Sequence, residues 1–174
     1  MMASSVLVPV SEYLNSMYHP DCDYLDGELK ERNVGEQPHS ELQAILTRIF
    51  GIHKQDWDIR VLTEQRVQVS EMRFRIPDIC ILHRHDPKDR IVHWAPLLCI
   101  EVLSEEDRLT ELQTKVDEFA ALGVANIWVL DPWKRKAYYA STRGFEQPSD
   151  GMLRIAGTPI EISLQEIFAE LDEF

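Results

Sequence analysis

Two acidic residues border the apolar runs of the sequence, at points where strands are expected to begin or end. Asp78 precedes the apolar run 79–82, and Glu101 follows the apolar run 97–100. Carboxylates at the ends of buried strands are costly to desolvate unless they are paired or bind a metal. If neighbouring strands bring the two together, a shared proton or a divalent cation would relieve their repulsion. Asp78 and Glu101 therefore form a candidate Mg²⁺ site, the alternative being two separate acids that face water.

A lysine on the helix predicted after Glu101 is a candidate partner for this pair. The apolar residues of segment 108–122 recur at helical spacing, and at the helical rotation per residue Lys115 lies roughly 90° from the centre of their stripe. A lysine in that position can lay its stem along the seam between helix and sheet and bring its ammonium group to the sheet edge. The alternative is an ordinary solvated lysine.

The order of the predicted elements favours an α/β fold. In chain order they are a short helix at 11–17, one or two strands within 23–33, a helix that begins at 38–41 and ends near Gly51, extended segments at 60–69, 75–83 and 97–103, a helix at 108–122 that Gly123 ends, strands at 125–130 and 136–141, a weak strand at 160–162 and a helix at 163–171. Continuously apolar strands belong inside a covered sheet. The strand, helix and strand between 97 and 130 should form a crossover between parallel strands. We therefore predict a central mixed β-sheet flanked by helices on both faces.

The candidate residues lie within motifs that resemble a known family. These motifs are Pro77-Asp78, Glu101-Val102-Leu103-Ser104, Glu111-x-x-x-Lys115-x-x-x-Phe119-Ala120-x-x-Gly123-Val124, Ile127-Trp128-Val129-Leu130-Asp131-Pro132, Tyr24-Leu25-Asp26-Gly27-Glu28 and Pro38-His39. Over about residues 10–168 the chain resembles the Uma-type restriction-endonuclease family. Members of that family look like PD-(D/E)XK nucleases, which have the restriction-endonuclease-like fold.

This resemblance implies metal-dependent hydrolysis of DNA phosphodiester bonds. Asp78, Glu101 and the main-chain carbonyl of Val102 would hold Mg²⁺ or Mn²⁺, and Lys115 would be the catalytic cation. The sequence departs from the PD-(D/E)XK pattern at Leu103, where the lysine two residues after the acid usually stands. The Uma-type pattern has its lysine on the next helix instead, at Lys115.

The resemblance also places Glu28 and His39 near the same site. Glu28 would be an additional metal ligand, and His39, at the start of a helix, would contact a phosphate. The alternatives are an acid that flanks a turn and a histidine with local hydrogen bonds.

Length and composition predict one ordinary globular domain over 1–174. The chain has 174 residues, 18 Lys and Arg against 30 Asp and Glu, and a net charge of −12, so disorder and small disulfide scaffolds are excluded. Its three cysteines are expected to be buried thiols of a reduced, cytoplasmic protein. The N-terminal segment resembles neither a signal peptide nor a membrane anchor, so we expect no membrane association.

The excess of acid falls mainly at the two ends of the chain. Segment 60–100 has 7 basic and 5 acidic residues, so the DNA binding that the resemblance implies should be weak, salt-sensitive and through one face. The alternative is an arginine-decorated, solvated sheet face. Nucleases of this fold commonly pair, so a homodimer is also expected. The acidity and Leu103 favour another hypothesis, a catalytically inactive nuclease-fold module that serves binding or assembly.

Overall fold

The computed structural model describes residues 7–32, 36–105 and 107–173. The elements in these residues are, in chain order, α1 (Val10–Asn15), β1 (Cys22–Leu25), β2 (Glu28–Glu31), α2 (Gln37–His53), β3 (Ile59–Thr63), β4 (Val67–Ser70), β5 (Arg73–Arg75), β6 (Ile79–His83), β7 (Leu98–Val102), α3 (Leu109–Leu122), β8 (Ile127–Asp131), β9 (Lys136–Ser141), β10 (Gly144–Glu146), β11 (Met152–Arg154), β12 (Glu161–Ser163) and α4 (Leu164–Leu171). Within the described ranges, no helix is long and apolar enough to cross a membrane.

The larger sheet has six strands in the order β10-β9-β8-β7-β6-β3. Strands β7 and β8 pair in parallel, and the other neighbours pair antiparallel. Helix α3 connects the two parallel strands. The mixed sheet and the parallel pair joined by a helix are therefore confirmed.

The two faces of this sheet carry separate apolar clusters. Ile79 and Ile81 of β6 pack with residues of α2 and α4. The alternate residues, Cys80 and Leu82, pack with residues of α3. This alternation is the period of two expected for a strand, and it confirms helices on both faces. All three cysteines are free and buried, as predicted.

A second sheet has the order β2-β1-β5-β4 and was not separated from the first by the sequence prediction. The predicted segment 60–69 is in fact two strands, β3 in the larger sheet and β4 in the smaller one. The backbone leaves β3 at Glu64, which has a positive φ of 51°. The predicted segment 75–83 is likewise divided into β5 and β6, at Pro77. Proline lacks an N–H for strand pairing and restricts the residue before it, so it ends one strand and allows the next to turn away.

The first two strands of the smaller sheet form a hairpin, as the sequence allowed. Asp26 and Gly27 connect them with φ angles of 53° and 100°, which is the backbone that a two-residue hairpin turn needs. The hairpin places Glu28 beside the turn and Glu31 opposite Cys22 at the other end. Residues that follow β2 therefore leave the sheet at the end remote from the turn.

Two glycines that were both predicted to end helices differ in the structure, and they should respond oppositely to substitution. Gly123 ends α3 with a φ of 105°, whereas α2 continues through Gly51 to His53. A Cβ at Gly51 would meet nothing within 4 Å, so Gly51→Ala should stabilise the protein by about 0.5 kcal/mol. Gly123→Ala should destabilise it by about 1–2 kcal/mol because the left-handed backbone strains a side chain. Urea unfolding of both variants measures this, and shifts in the same direction would contradict it.

Candidate active site

The carboxylates of Asp78 and Glu101 lie on the same face of the larger sheet, at one end of two neighbouring strands. Cys80 of β6 is directly opposite Cys99 of β7. Asp78 is two residues before Cys80, and Glu101 is two residues after Cys99, so the alternation of strands turns both carboxylates toward the face that α3 covers. Both are buried, with 3% and 7% of their surface exposed. The structure thus brings together the two acids that the sequence singled out.

Lys115 extends from α3 to the carboxylate of Glu101. Its Nζ donates hydrogen bonds to Glu101 Oε2 and to the main-chain oxygen of Ile76, each at 2.8 Å. Only 13% of the lysine side chain is exposed, so its stem lies between helix and sheet as expected of a flank lysine. Lys115 neutralises Glu101 and ties α3 to the segment immediately before Asp78.

Asp78 has a different set of partners. Its Oδ1 forms an ion pair with the guanidinium of Arg32. Its Oδ2 accepts a hydrogen bond from the main-chain N–H of Val102 at 2.7 Å and lies 3.4 Å from His39 Nε2. Pro77 ends the pairing of β6 with β7. The main-chain N–H of Val102 therefore donates to the side chain of Asp78 and not to a main-chain carbonyl of a neighbouring strand.

These partners shift the acidities of the two carboxyl groups in opposite directions. Burial alone would raise the pKa of Asp78, but the hydrogen bond with His39 and the charges of Arg32 and Lys115 outweigh it and lower that pKa. Burial raises the pKa of Glu101 to about 7, which the positive charge of Lys115 only partly opposes. Burial would lower the pKa of His39, but its hydrogen bond to Asp78 outweighs burial and raises it. Paired groups with divergent acidities are typical of functional sites.

The donor set at this site fits a hard divalent cation. Within the described residues, no group of three or more His, Cys, Asp or Glu side chains is arranged to hold a metal ion. However, Mg²⁺ commonly uses only one or two carboxylates and completes its shell with water and substrate oxygens. Glu101 Oε1 is buried and has no hydrogen-bond partner among the described residues. A buried carboxylate oxygen without a donor is costly, and a cation would satisfy it.

A cavity of about 130 Å³ opens beside these groups. The residues that line it come from the hairpin, β5, α2, the ends of β6 and β7, and the start of α3: Asp23, Lys30, Glu31, Arg32, His39, Arg75, Asp78, Glu101, Val102, Leu103, Ser104, Asp107, Arg108, Glu111, Leu112 and Lys115. The strand ends of the larger sheet therefore supply Asp78 and Glu101, and the hairpin and helices supply most of the cations.

The sequence of this chain also matches a known protein family. The sequence model of the Uma2 family, described as "Putative restriction endonuclease", matches residues 10–169. The chain belongs to the Uma2 family. No curated protein matches it.

The fold of this Uma2 chain is shared with a solved structure. The crystal structure of a "putative nuclease belonging to DUF820" from Anabaena variabilis ATCC 29413 superposes with a TM-score of 0.80, at 18% identity, over 94% of this chain and 99% of the other. The predicted restriction-endonuclease-like α/β fold is thereby confirmed. The cryo-EM structure of a DrdV–DNA complex gives a TM-score of 0.46 at 15% identity, over 80% of this chain and 12% of the other.

The hairpin of the Uma2 chain contributes residues to the site that sequence reasoning missed. Glu28, which the family resemblance placed near the site, lies beside the hairpin turn and is not among the residues that line the cavity. Arg32, at the opposite end of β2, reaches Asp78 instead. The signal that selected Asp78 and Glu101, a charged residue at the end of an apolar run, does not mark Arg32, because the strand before it, Glu28–Glu31, is mostly charged.

The acidity of Glu101 predicts a pH-dependent stability of the ion-free protein. A carboxyl group whose pKa is raised on folding binds its proton more tightly in the folded state. The stability of the folded protein therefore falls as pH rises from 4.5, the ordinary pKa of a glutamate, toward about 7, the pKa of Glu101 in the folded protein. We expect that, in EDTA, the free energy of unfolding of the wild type minus that of Glu101→Gln is smaller at pH 8 than at pH 5, by on the order of 1–3 kcal/mol. Urea unfolding at both pH values measures this difference.

The matched control is Glu146→Gln, at an exposed position of β10. His39 is present in all three proteins, so its own titration largely cancels from the difference between wild type and variant. The prediction is wrong if the difference between wild type and Glu101→Gln is as independent of pH as the difference for the control.

Proposed function

We propose that the chain is a Mg²⁺- or Mn²⁺-dependent endonuclease that hydrolyses DNA phosphodiester bonds by a PD-(D/E)XK-type mechanism. The observation that carries this proposal is the pair of buried carboxylates, Asp78 and Glu101, at adjoining strand ends. Lys115 contacts Glu101, whose other oxygen has no hydrogen-bond partner in the part of the chain that the structure describes. The family description supports the nuclease class.

In this proposal Asp78, Glu101 and the main-chain carbonyl of Val102 hold the divalent ion. The bound ion supplies Lewis acidity toward the phosphate and makes water a better nucleophile near neutral pH. Lys115 orients the attacking water or offsets charge that develops in the transition state. Its ammonium group is held by two fixed acceptors, so little reorganisation is needed for that role.

His39 is the residue we propose for a phosphate contact. It lies in the first turn of α2, where main-chain N–H groups favour anions. Its Nε2 is turned toward Asp78, and its Nδ1 has no hydrogen-bond partner among the described residues. The hydrogen bond to Asp78 raises the pKa of His39, which favours the protonated form that would attract a phosphate.

DNA binding should be weak and salt-sensitive. The chain has a net charge of −12, and several arginines of the net-positive middle segment are already engaged within the protein. Arg66 pairs with Asp21, and Arg73 and Arg75 both pair with Glu118. These pairs leave fewer cations for phosphates, so we expect weak binding that falls as salt is added, with a slope set by the small number of phosphate contacts. We also propose that the protein is a cytoplasmic homodimer, and analytical ultracentrifugation measures whether it forms a dimer.

A second candidate function is a nuclease-fold module that binds or assembles without cleaving. Both oxygens of Asp78 already have protein partners, and Leu103 stands where the PD-(D/E)XK lysine is usual. These two features favour an inactive site, in which Arg32 would permanently replace a metal ion.

One experiment separates the two functions. Purified protein is incubated at low salt with supercoiled plasmid and with single-stranded circular DNA, in Mg²⁺, in Mn²⁺ and in EDTA, and calorimetry follows Mn²⁺ binding. The nuclease proposal expects cleavage that EDTA abolishes, together with Mn²⁺ binding. Intact DNA in all conditions and no heat of Mn²⁺ binding would reject the enzyme and favour the binding module.

A further inference from the structure

Arg32 lies on Asp78, where a metal cation would bind at the candidate active site. It follows β2, its guanidinium pairs with Asp78 Oδ1, and its Nη1 lies 3.6 Å from Glu64 Oε1. Only 17% of its side chain is exposed. A guanidinium in such a place is retained only where a carboxylate compensates its desolvation, and Asp78 does so.

The two carboxylates face cationic side chains of the protein without any added ion. Asp78 faces Arg32 and His39, and Glu101 faces Lys115. A divalent ion at the same carboxylates would therefore leave a surplus of positive charge in a largely buried site. Such a surplus is costly where water does not screen it, so binding of the ion favours departure of one protein cation.

Arg32 is the cation whose contact conflicts with the ion. Lys115 is held on Glu101 Oε2 and on the Ile76 carbonyl, and Glu101 Oε1 has no partner within residues 7–32, 36–105 and 107–173. Asp78 has no such spare oxygen, because the Val102 N–H and His39 face Oδ2 and Arg32 takes Oδ1. A ligand position on Asp78 therefore opens when Arg32 moves.

We propose that Arg32 is a resident cation that leaves Asp78 when a divalent ion binds, and that its guanidinium then binds the substrate phosphate. This inference rests on the proposed function. Arg32 lines the same cavity as Lys30 and His39, so it needs to travel only within the site. The planar guanidinium presents paired donors that match phosphate oxygens as well as carboxylate oxygens. Ion binding and DNA binding are then mutually reinforcing.

The first test measures Mn²⁺ affinity without DNA by calorimetry. Arg32→Gln removes the competing charge, so its Kd for Mn²⁺ should be about tenfold lower than that of the wild type. Arg48→Gln is the matched control, because Arg48 forms an exposed ion pair with Glu170 between α2 and α4. The control should bind Mn²⁺ like the wild type. Equal or weaker Mn²⁺ binding by Arg32→Gln would overturn the inference.

The second test measures the affinity for a short duplex DNA in EDTA and in Ca²⁺. If Asp78 holds Arg32 in the ion-free protein, Arg32→Gln removes no phosphate contact in EDTA, and DNA affinity should fall there only by the small effect of losing one positive charge. In Ca²⁺ the released guanidinium is also missing, so affinity should fall severalfold more than in EDTA. A loss of the same size in both conditions would mean that Arg32 acts only as a fixed positive charge, and it would overturn the inference.

A conservative variant keeps the test decisive if Arg32→Gln fails to fold, as judged by circular dichroism. Arg32→Lys keeps the charge but loses the paired donors, so its hold on Asp78 should weaken and its Mn²⁺ affinity should rise severalfold. Unchanged affinity in that variant also overturns the inference.

Absence of Mn²⁺ binding in every protein rejects both this inference and the proposed metal site. Tighter Mn²⁺ binding by Arg32→Gln without DNA cleavage by the wild type supports ion displacement and rejects only the nuclease activity.

Discussion

Replacing Asp78 with asparagine is expected to lower the rate of DNA cleavage at least about 100-fold, because the variant loses a charged ligand of the proposed metal site. Glu101→Gln should have an effect of the same order. Both changes keep the shape of the side chain, and the amide oxygen of the substituted side chain could still accept the hydrogen bond that Val102 donates to Asp78. Nicking of supercoiled plasmid in Mg²⁺ and in Mn²⁺ measures the loss.

The loss should concern hydrolysis rather than DNA binding. Neutralising Asp78 removes a negative charge beside the cavity and releases the guanidinium of Arg32, so DNA affinity should be equal or higher. Asp150→Asn is the matched control, since Asp150 is exposed and pairs with Arg154. Full activity in Asp78→Asn, or a loss explained entirely by weaker DNA binding, would contradict the assignment.

Much of the fold could be predicted from local patterns, and the exceptions have physical causes. The helix ended by Gly123 and the parallel strands on either side of it follow from helical spacing and continuous apolar runs. The division of segment 60–69 between two sheets could not be predicted in this way. Its residues look extended throughout, and only the tertiary pairing of β3 with β6 and of β4 with β5 separates them. Strands β10 and β11 span three residues each, too few for a periodic pattern.

The residues of the candidate site also fall into two groups, those that local sequence patterns could predict and those that depend on strand pairing. Asp78, Glu101 and Lys115 could be selected because each interrupts or flanks an apolar pattern. Arg32 and Arg75 could not be selected in this way, because their importance depends on which strands of the smaller sheet pair and on where the hairpin ends. Glu28 was selected by family resemblance and lies at the other end of β2 from Arg32. Local patterns therefore identified the groups on the larger sheet and α3, whereas pairing within the smaller sheet determined the rest.

The ion pairs of the structure reduce the positive charge that the chain can offer to DNA. Segment 60–100 has 7 basic and 5 acidic residues, which predicts a net-positive face. In the structure, however, Arg66, Arg73 and Arg75 of this segment are paired with carboxylates from outside it. The cavity cations Lys30, Arg32 and His39 also face carboxylates, so in both places DNA phosphates compete with acids of the protein. The predicted salt sensitivity thus concerns a small number of phosphate contacts.

Arg75→Met is expected to destabilise the protein by about 3–5 kcal/mol. Arg75 is 4% exposed and joins Asp23 of β1, at 2.9 Å, to Glu118 of α3. Asp23 is itself 5% exposed and accepts the main-chain N–H of Ile76. Methionine has a similar bulk but no charge, so the substitution leaves the buried carboxylate of Asp23 without its ion-pair partner, while Glu118 keeps Arg73. Urea unfolding in EDTA at pH 7 measures the loss.

Two further variants show whether the uncompensated charge is the cause. Arg48→Met breaks the exposed ion pair with Glu170 and should cost no more than about 1 kcal/mol, because water screens that pair. Adding Asp23→Asn to Arg75→Met removes the buried negative charge and should recover part of the lost stability. If the double variant is no more stable than Arg75→Met, the loss comes from packing, and the ion pairs of Arg75 do not tie the smaller sheet to the helix that carries Lys115.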